Sequence, residues 1–185
     1  MRRALDTLYK AALWASALCL VAIAVMVGAQ LAGRLLDGTL ALLHLPRTDF
    51  VILSLAEISG YLLASASFLA LAGTLKAGAH IRVTMLLGSL SERARRALET
   101  WAFAFATGVA AYMTWNIASF AFISYQFGDV SPGVLPVLLW IPQSAMALGA
   151  LILTIALADE LVTVIRYGRP TFRAAEDAIT LSKES

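Results

Sequence analysis

The sequence predicts an all-α membrane protein with four transmembrane helices, an amphipathic interfacial helix between helices 2 and 3, and both termini in the cytoplasm. Three observations predict this fold class. The 185 residues are 60% hydrophobic and 14% charged, whereas soluble domains have roughly 25% charged residues. Four stretches with at most one charged residue each are long enough to cross a hydrocarbon core, which takes roughly 20 helical residues. The basic residues are concentrated on one side of these stretches.

The basic residues also set the predicted orientation. Of the 14 Lys and Arg residues, only Arg34 and Arg47 lie on the side opposite the N-terminus, the 76–99 loop and the tail. Cytoplasmic loops carry the excess of Lys and Arg, so we expect both termini and this loop in the cytoplasm. The first uncharged run is too long for the apolar region of a signal peptide, about 7–15 residues, and we expect an uncleaved first helix.

These features predict one transmembrane domain over residues 1–165 and a cytoplasmic tail over 166–185. Its helices are expected at about 11–33, 50–75, 100–127 and 136–158. The loop from 34 to 49 is too apolar for a solvated linker and too short to span. We therefore expect it to form a short segment in the outer interface or against a partner.

Helices 2 and 3 each have a face of mostly small and polar residues at helical spacing. In lipid, helices associate through close backbone approach and interhelical hydrogen bonds, so both faces predict helix–helix contacts. The face on helix 2 consists of Glu57, Gly60, Ala64, Ser67, Leu71 and Thr74. The face on helix 3 consists of Thr107, Ala111, Thr114, Ala118 and Ala121, and the polar residue of helix 3 near mid-membrane is Asn116.

The outer turn into helix 4 contains three prolines. Pro132 and Pro136 can occupy a turn and a first helical position, where a missing N–H costs little. Pro142 lies farther in and is expected to kink helix 4 or to shape its first turns. Trp140 is expected at the membrane interface.

The residues after helix 2 predict a cap, a surface helix and a second cap. Gly78 suits a left-handed helix cap, and Ser91 suits the N-cap of helix 3. Between them, an apolar stripe predicts an amphipathic helix at about 80–90 along the inner membrane surface, formed by Val83, Leu86, Leu87 and Leu90. The nearby basic residues are expected to set topology and contact lipid phosphates: Lys76, Arg93, Arg95 and Arg96.

His80 and Glu57 are the two residues whose chemistry needs an explanation. His80 can be a ligand, a proton carrier or a structural residue. The only other histidine, His44, is expected on the opposite face of the membrane, so a structural role beside Gly78 and Arg82 is favoured. A carboxylate within the membrane is costly, and three roles stay open for Glu57. It can be a hydrogen-bonded link to a neighbouring helix or partner subunit, an ion- or proton-coupling group, or a simple interfacial residue.

Enzyme motifs are absent from the sequence. It contains no Gly-rich phosphate loop, no His-Glu-x-x-His and no serine motif with a plausible base. We expect no catalytic activity, no metal ion or other cofactor, and no nucleic-acid partner.

Three motifs, in this order, resemble a known family over roughly residues 5–165. They are Glu57 with Tyr61, the segment Gly-x-His-Ile/Val-x-Val from Gly78, and the turn Gly-x-x-Ser-Pro…Pro…Trp-x-Pro that leads into helix 4. The chain resembles the small membrane subunit of tripartite ATP-independent periplasmic (TRAP) transporters, the DctQ family. It departs from the family at Thr84, where many relatives have an acidic residue, and in a longer loop around "LLDGTLALLHL".

The resemblance implies a function that depends on partners. Such subunits bind a larger membrane subunit, M, which carries the substrate and sodium sites and moves as an elevator. With M they offer a docking surface to a periplasmic substrate-binding protein, P, for uptake of an organic acid across the bacterial inner membrane. On this resemblance, the residues expected to have structural or partner-interface roles are Glu57, Gly60, Ala64, Ser67, Gly78, His80, Arg82, Asn116, Pro132, Trp140 and Pro142.

Two other classes of protein are alternatives. One is an autonomous small four-helix transporter that uses Glu57 for ion coupling. The other is the membrane anchor of a redox enzyme with a haem held by two histidines. The separation expected between His44 and His80 counts against the second.

Overall fold

The computed structural model describes residues 2–77 and 91–168, and its named elements are all α-helices. They are α1 (Arg2–Leu42), α2 (Leu55–Lys76), α3 (Glu92–Phe127) and α4 (Trp140–Tyr167). The predicted all-α class is therefore confirmed for these residues. The predicted interfacial helix at about 80–90 lies outside the described residues, and so do Gly78, His80, Arg82 and the tail from 169 onward.

The helices pack side by side in the order α1, α2, α4, α3. α2 contacts α1 and α4 extensively, α4 contacts α2 and α3, and α1 touches α4 at only a few positions. α1 and α3 are therefore the two edges of an open helix layer. Each edge exposes large apolar side chains, among them Trp14, Leu18, Val25 and Leu35 on α1 and Trp101, Phe105, Tyr112 and Trp115 on α3.

Three helices of the described chain, α1, α2 and α4, are long and apolar enough to cross a membrane. α3 has 36 residues, but Tyr112, Trp115 and Asn116 near its middle are less apolar than Leu or Val. That α3 is a fourth span, and that both termini are cytoplasmic, remain predictions.

The first helix is longer than its predicted span of 11–33. It has 41 residues and at 1.5 Å per residue is about 60 Å long, roughly twice the thickness of a hydrocarbon core. The helix continues past the expected end at Gly33, because residues 43–54 fold back and pack against it at Gln30, Gly33 and Asp37. Residues 34–42, predicted as part of a loop, are the last part of α1, and a return segment follows them. The predicted place of this stretch in the outer interface or against a partner remains a prediction.

The return segment, residues 43–54, folds back along the last turns of α1. The backbone N–H of Ile52 donates to Oε1 of Gln30 at 2.7 Å. The backbone N–H and the hydroxyl of Thr48 donate to Oδ1 of Asp37 at 2.7 and 2.6 Å. At Gly33 an added Cβ would lie 2.7 Å from Cδ1 of Phe50, so glycine lets the segment pack closely. We call α1 from 31 to 42 together with the return segment the α1 projection.

Small residues form the centre of the helix layer. Ala72 and Ala156 are fully buried, and an added Cβ on Gly149 would lie 2.5 Å from the carbonyl carbon of Phe68. The backbones of α2 and α4 are therefore in direct contact. Hydroxyl groups join the other helix pairs: Ser16 Oγ donates to Ala66 O at 2.8 Å, and the hydroxyls of Thr114 and Thr154 are 3.0 Å apart. This is the packing expected of helices that associate in lipid.

The buried face of α2 differs from the predicted face. The buried residues of α2 are Ser65, Ala66, Leu69, Ala72 and Leu75. Within the predicted face, Gly60 and Ser67 are exposed and Ala64 is half-buried. Helical spacing did not locate the face that packs within the chain, because small residues also lie on other sides of α2. That the predicted face contacts a partner remains a prediction.

Helix α3 begins and ends at recognisable caps, and α4 ends at Gly168 in the left-handed conformation. Ser91 Oγ accepts the backbone N–H of Ala94, which confirms the predicted N-cap of α3. α3 ends at Gly128, whose φ of 65° is the left-handed conformation that favours glycine. α4 begins at Trp140 rather than at 136 and runs to Tyr167. Pro142 lies in the first turn of α4, where its missing N–H breaks no helical hydrogen bond.

Candidate functional site

The first polar cluster lies where α2 begins, and we call this side of the layer the Glu57 end. The hydroxyl of Tyr61 donates to Oε1 of Glu57 at 3.0 Å, across one helical turn. The Glu57 carboxyl also lies against Gly133, where a Cβ would overlap it. Glu57 is thus a hydrogen-bonded carboxyl in contact with the turn between α3 and α4.

That turn, residues 129–139, is held by its own hydrogen bonds. Ser131 is buried; its N–H donates to Val137 O at 2.9 Å, and its hydroxyl accepts the N–H of Val137 at 3.2 Å. The N–H of Leu135 donates to Ser54 Oγ at 3.0 Å, which ties the turn to the base of the α1 projection. Pro132 is exposed in this turn.

Trp140 closes the turn against α3. Its ring meets the ring of Tyr125 edge-on, with centroids 5.6 Å apart and planes at 84°, a favourable aromatic geometry. Three of the residues expected from the family resemblance, Glu57, Pro132 and Trp140, therefore lie on or against one turn. The sequence did not predict that contact, because the residues come from segments about 75 positions apart.

The second polar cluster lies at the other side of the layer, the Lys76 end, and was not predicted. Lys76 Nζ donates to Asp159 Oδ2 at 2.5 Å and to Glu160 Oε1 at 2.8 Å. The side chain of Glu160 is fully buried, whereas those of Lys76 and Asp159 are 18% and 24% exposed. The ring of Tyr9 lies under the ammonium, 5.4 Å from Nζ to the centroid. This cluster joins α1, α2 and α4.

The Lys76 cluster changes the role expected for Lys76. The prediction placed its ammonium among lipid phosphates, but two carboxylates of α4 bind it instead. One feature of the sequence could have predicted the contact between Lys76 and Asp159. Lys76 ends helix 2 and Asp159 follows the predicted end of helix 4, and parallel neighbouring helices bring such ends together.

The three arginines of α3 lie at the same end. Arg95 Nε is 3.5 Å from Oε1 of the buried Glu99. Arg96 Nη2 donates to the carbonyl of Ile165 at 2.5 Å, where a cation satisfies the last carbonyls of α4. Arg93 lines a groove of about 550 Å³ with Arg96 and Trp101. Their predicted part in topology and lipid contact remains a prediction.

The remaining predicted residues are placed as follows. Asn116 donates from Nδ2 to the carbonyl of Tyr112 in its own helix at 2.7 Å. Ser67 likewise donates to Leu63 O at 2.8 Å, and no atom lies within 4 Å of a Cβ added to Gly60. The outer side of α2 around Gly60 and Ser67 is thus open to a partner, and the Ser67 hydroxyl on it already donates a hydrogen bond within the helix.

Within residues 2–77 and 91–168, no three His, Cys, Asp or Glu side chains form a group that could hold a metal ion. The charged side chains of the two polar clusters bind other groups of the same chain. Chemically, both clusters hold elements of the fold together.

The fold and the two polar clusters are those of an α-helical integral membrane protein, with polar contacts at the two ends of an apolar helix layer. The model of one family, "Tripartite ATP-independent periplasmic transporters, DctQ component", matches residues 23–167. The chain belongs to this family and is a component of a TRAP transporter. Neither the comparison with curated proteins nor that with solved structures finds a match.

Proposed function

We propose that this chain is the small subunit that enlarges the static scaffold of the large subunit M. In the same proposal it helps to dock the periplasmic protein P, for sodium-coupled uptake of an organic acid. The observation that carries the scaffold role is the use of the two polar clusters. Glu57 and Lys76 each bind other groups of the same chain, so both serve the fold. An ion-coupling group in an elevator-type transporter must change the groups that it binds during transport, whereas a group in a static scaffold need not.

The open side of α2 supports a contact with M. Gly60 and Ser67 are exposed there, and Ala64 lies between them at helical spacing. A surface of small residues whose polar groups are already hydrogen-bonded lets a second helix approach closely, whereas positions that face lipid do not require small residues. We place the M contact on this side of α2.

The α1 projection supports a contact with a protein outside the hydrocarbon region. Leu42, Leu43 and Val51 are 81%, 68% and 59% exposed, which is costly in water. Asp37 and Arg47 belong to the same projection and are costly in hydrocarbon. A protein surface covers the apolar side chains and leaves the charged ones at a wet rim. Leu135 and Ser54 join the 129–139 turn to the projection, so the two form one docking face for P.

Reconstitution in liposomes separates this proposal from the autonomous transporter. The purified chain alone is expected to move neither protons, sodium ions nor organic acids, and uptake is expected only when M and P are added. Glu57→Gln keeps an oxygen that accepts the Tyr61 hydrogen bond, so the stability of this contact should change by well below 1 kcal/mol. Uptake by the complete complex with this variant should therefore stay within about twofold of wild type. Transport by the chain alone that Glu57→Gln abolishes would establish the autonomous transporter instead.

A further inference from the structure

A groove between the start of α1 and the end of α2 has no part in the functions described above. Its volume is about 290 Å³. It opens beside the Lys76 cluster, and we call it the Lys10 groove. Its lining residues are Asp6, Tyr9, Lys10 and Leu13 from α1 and Gly73, Lys76 and Ala77 from α2.

The floor of the Lys10 groove is apolar and tightly packed. A Cβ added to Gly73 would lie 3.1 Å from Cδ1 of Leu13, so the two helices are close at this level. Beyond Leu13, both helices continue as apolar spans. The groove therefore lies at the boundary where headgroups meet acyl chains, with polar residues only on the headgroup side.

The rim of the groove carries charges of both signs. Lys76 is already bound by Asp159 and Glu160, so it adds no net positive charge. Lys10 and Asp6 are exposed on the α1 rim one helical turn apart. One cation and one anion remain for a ligand, beside a cluster with more carboxylates than ammonium groups. This balance disfavours a purely anionic headgroup and suits one with a phosphate and a cation.

Tyr9 gives an independent indication of a ligand. Its side chain is 4% exposed and lines the groove, and its hydroxyl has no hydrogen-bond partner within residues 2–77 and 91–168. A buried polar group without a partner is destabilising. Because the hydroxyl oxygen itself is buried, a phosphate oxygen or a headgroup-bound water can accept its hydrogen bond only when the Tyr9 side chain turns toward the groove as the headgroup enters.

We propose that the Lys10 groove binds the headgroup of a zwitterionic phospholipid, with the phosphate on Lys10 and a primary ammonium on Asp6. A primary ammonium donates hydrogen bonds to a carboxylate, whereas a fully methylated ammonium has no N–H to donate. The groove thus selects ethanolamine over choline headgroups. The acyl chains lie along the apolar surfaces of α1 and α2.

The test uses the full chain purified in detergent and measures the apparent affinity for three lipids with identical acyl chains, from the lipid-induced rise in Tm. Phosphatidylethanolamine is expected to bind more tightly than phosphatidylcholine or phosphatidylglycerol. Asp6→Asn is expected to remove the preference over phosphatidylcholine, and Lys10→Gln to weaken all three by on the order of threefold, as for an exposed charge contact. Arg166→Gln, an exposed basic residue in the last turn of α4 at the same end, is the matched control and should change neither.

Three results would overturn the proposal. One is equal affinity of the wild-type chain for the ethanolamine and choline lipids. Another is preferential binding of the anionic lipid, which would assign the groove to lipid phosphates alone. The third is an equal loss of lipid affinity in Arg166→Gln, which would show a general surface charge effect. Glycerophosphoethanolamine, which lacks acyl chains, tests whether the ligand is the phospholipid or the free headgroup compound. If it saturates the groove at the same concentration as the lipid, the ligand is the free compound and the proposal of a lipid is wrong.

Discussion

Lys76→Met is expected to destabilise the chain by about 3–5 kcal/mol, the cost of breaking a buried ion pair by removing one of its members. Glu160 is fully buried and loses the ammonium 2.8 Å from its Oε1. Met keeps most of the length and apolar volume of the lysine stem, so the loss reports the ion pair rather than a cavity. The free energy of unfolding in detergent micelles measures it.

Two variants make the Lys76 result specific. Lys76→Met combined with Glu160→Gln also removes the buried carboxylate charge that loses this ammonium, and we expect the double variant to be more stable than Lys76→Met alone. Arg96→Met removes a basic residue at the same end, exposed and bound to one carbonyl, and should cost about 1 kcal/mol. A Lys76→Met chain within about 0.5 kcal/mol of wild type, the usual range of surface substitutions, would show that the cluster does not hold the helices together.

Gly149→Ala is expected to destabilise the chain by about 1–3 kcal/mol, because it overpacks the contact between α2 and α4. The added Cβ would lie 2.5 Å from the carbonyl carbon of Phe68 and 2.7 Å from the N of Leu69. Both atoms belong to the backbone, so the helices themselves must separate. Thermal unfolding in detergent measures the change, and Gly149→Val should be worse than alanine.

Gly108→Ala is the matched control for Gly149. It lies within α3, and no atom is within 4 Å of its added Cβ. Alanine is a better helix former than glycine by about 1 kcal/mol, so Gly108→Ala should be neutral or stabilising. Equal effects of the two substitutions would mean that α2 and α4 are not in backbone contact at this position.

Composition and hydropathy were sufficient to predict an all-α membrane protein, because a long apolar run needs no tertiary information to be recognised. The end of α1 was not predictable in the same way. Residues 34–42 form helix because the return segment packs against α1 through Gln30, Gly33 and Asp37. The spacing of residues along a helix does not predict such tertiary contacts.

The candidate site was predicted in part. Glu57 stands out because a carboxylate is rare in an apolar segment, and Tyr61 follows it at the spacing of one helical turn. The contact of Glu57 with Gly133 depends on how the 129–139 turn folds back. The Lys76 cluster was missed because Asp159 and Glu160 lie just beyond the predicted end of helix 4, where charged residues are ordinary. Only the packing of α4 against α2 gives these residues their partner.

The central claim is that this chain acts as the small scaffold subunit of a larger transporter. Affinity purification of the full tagged chain from native membranes in a mild detergent, followed by mass spectrometry, tests it most directly. We expect a larger multi-spanning membrane protein to be recovered in a fixed ratio. Gly60→Leu on the open side of α2 should reduce its recovery, whereas Gly28→Leu, which also has open space around its added Cβ, should not. Recovery of the chain without any larger membrane protein would contradict the account.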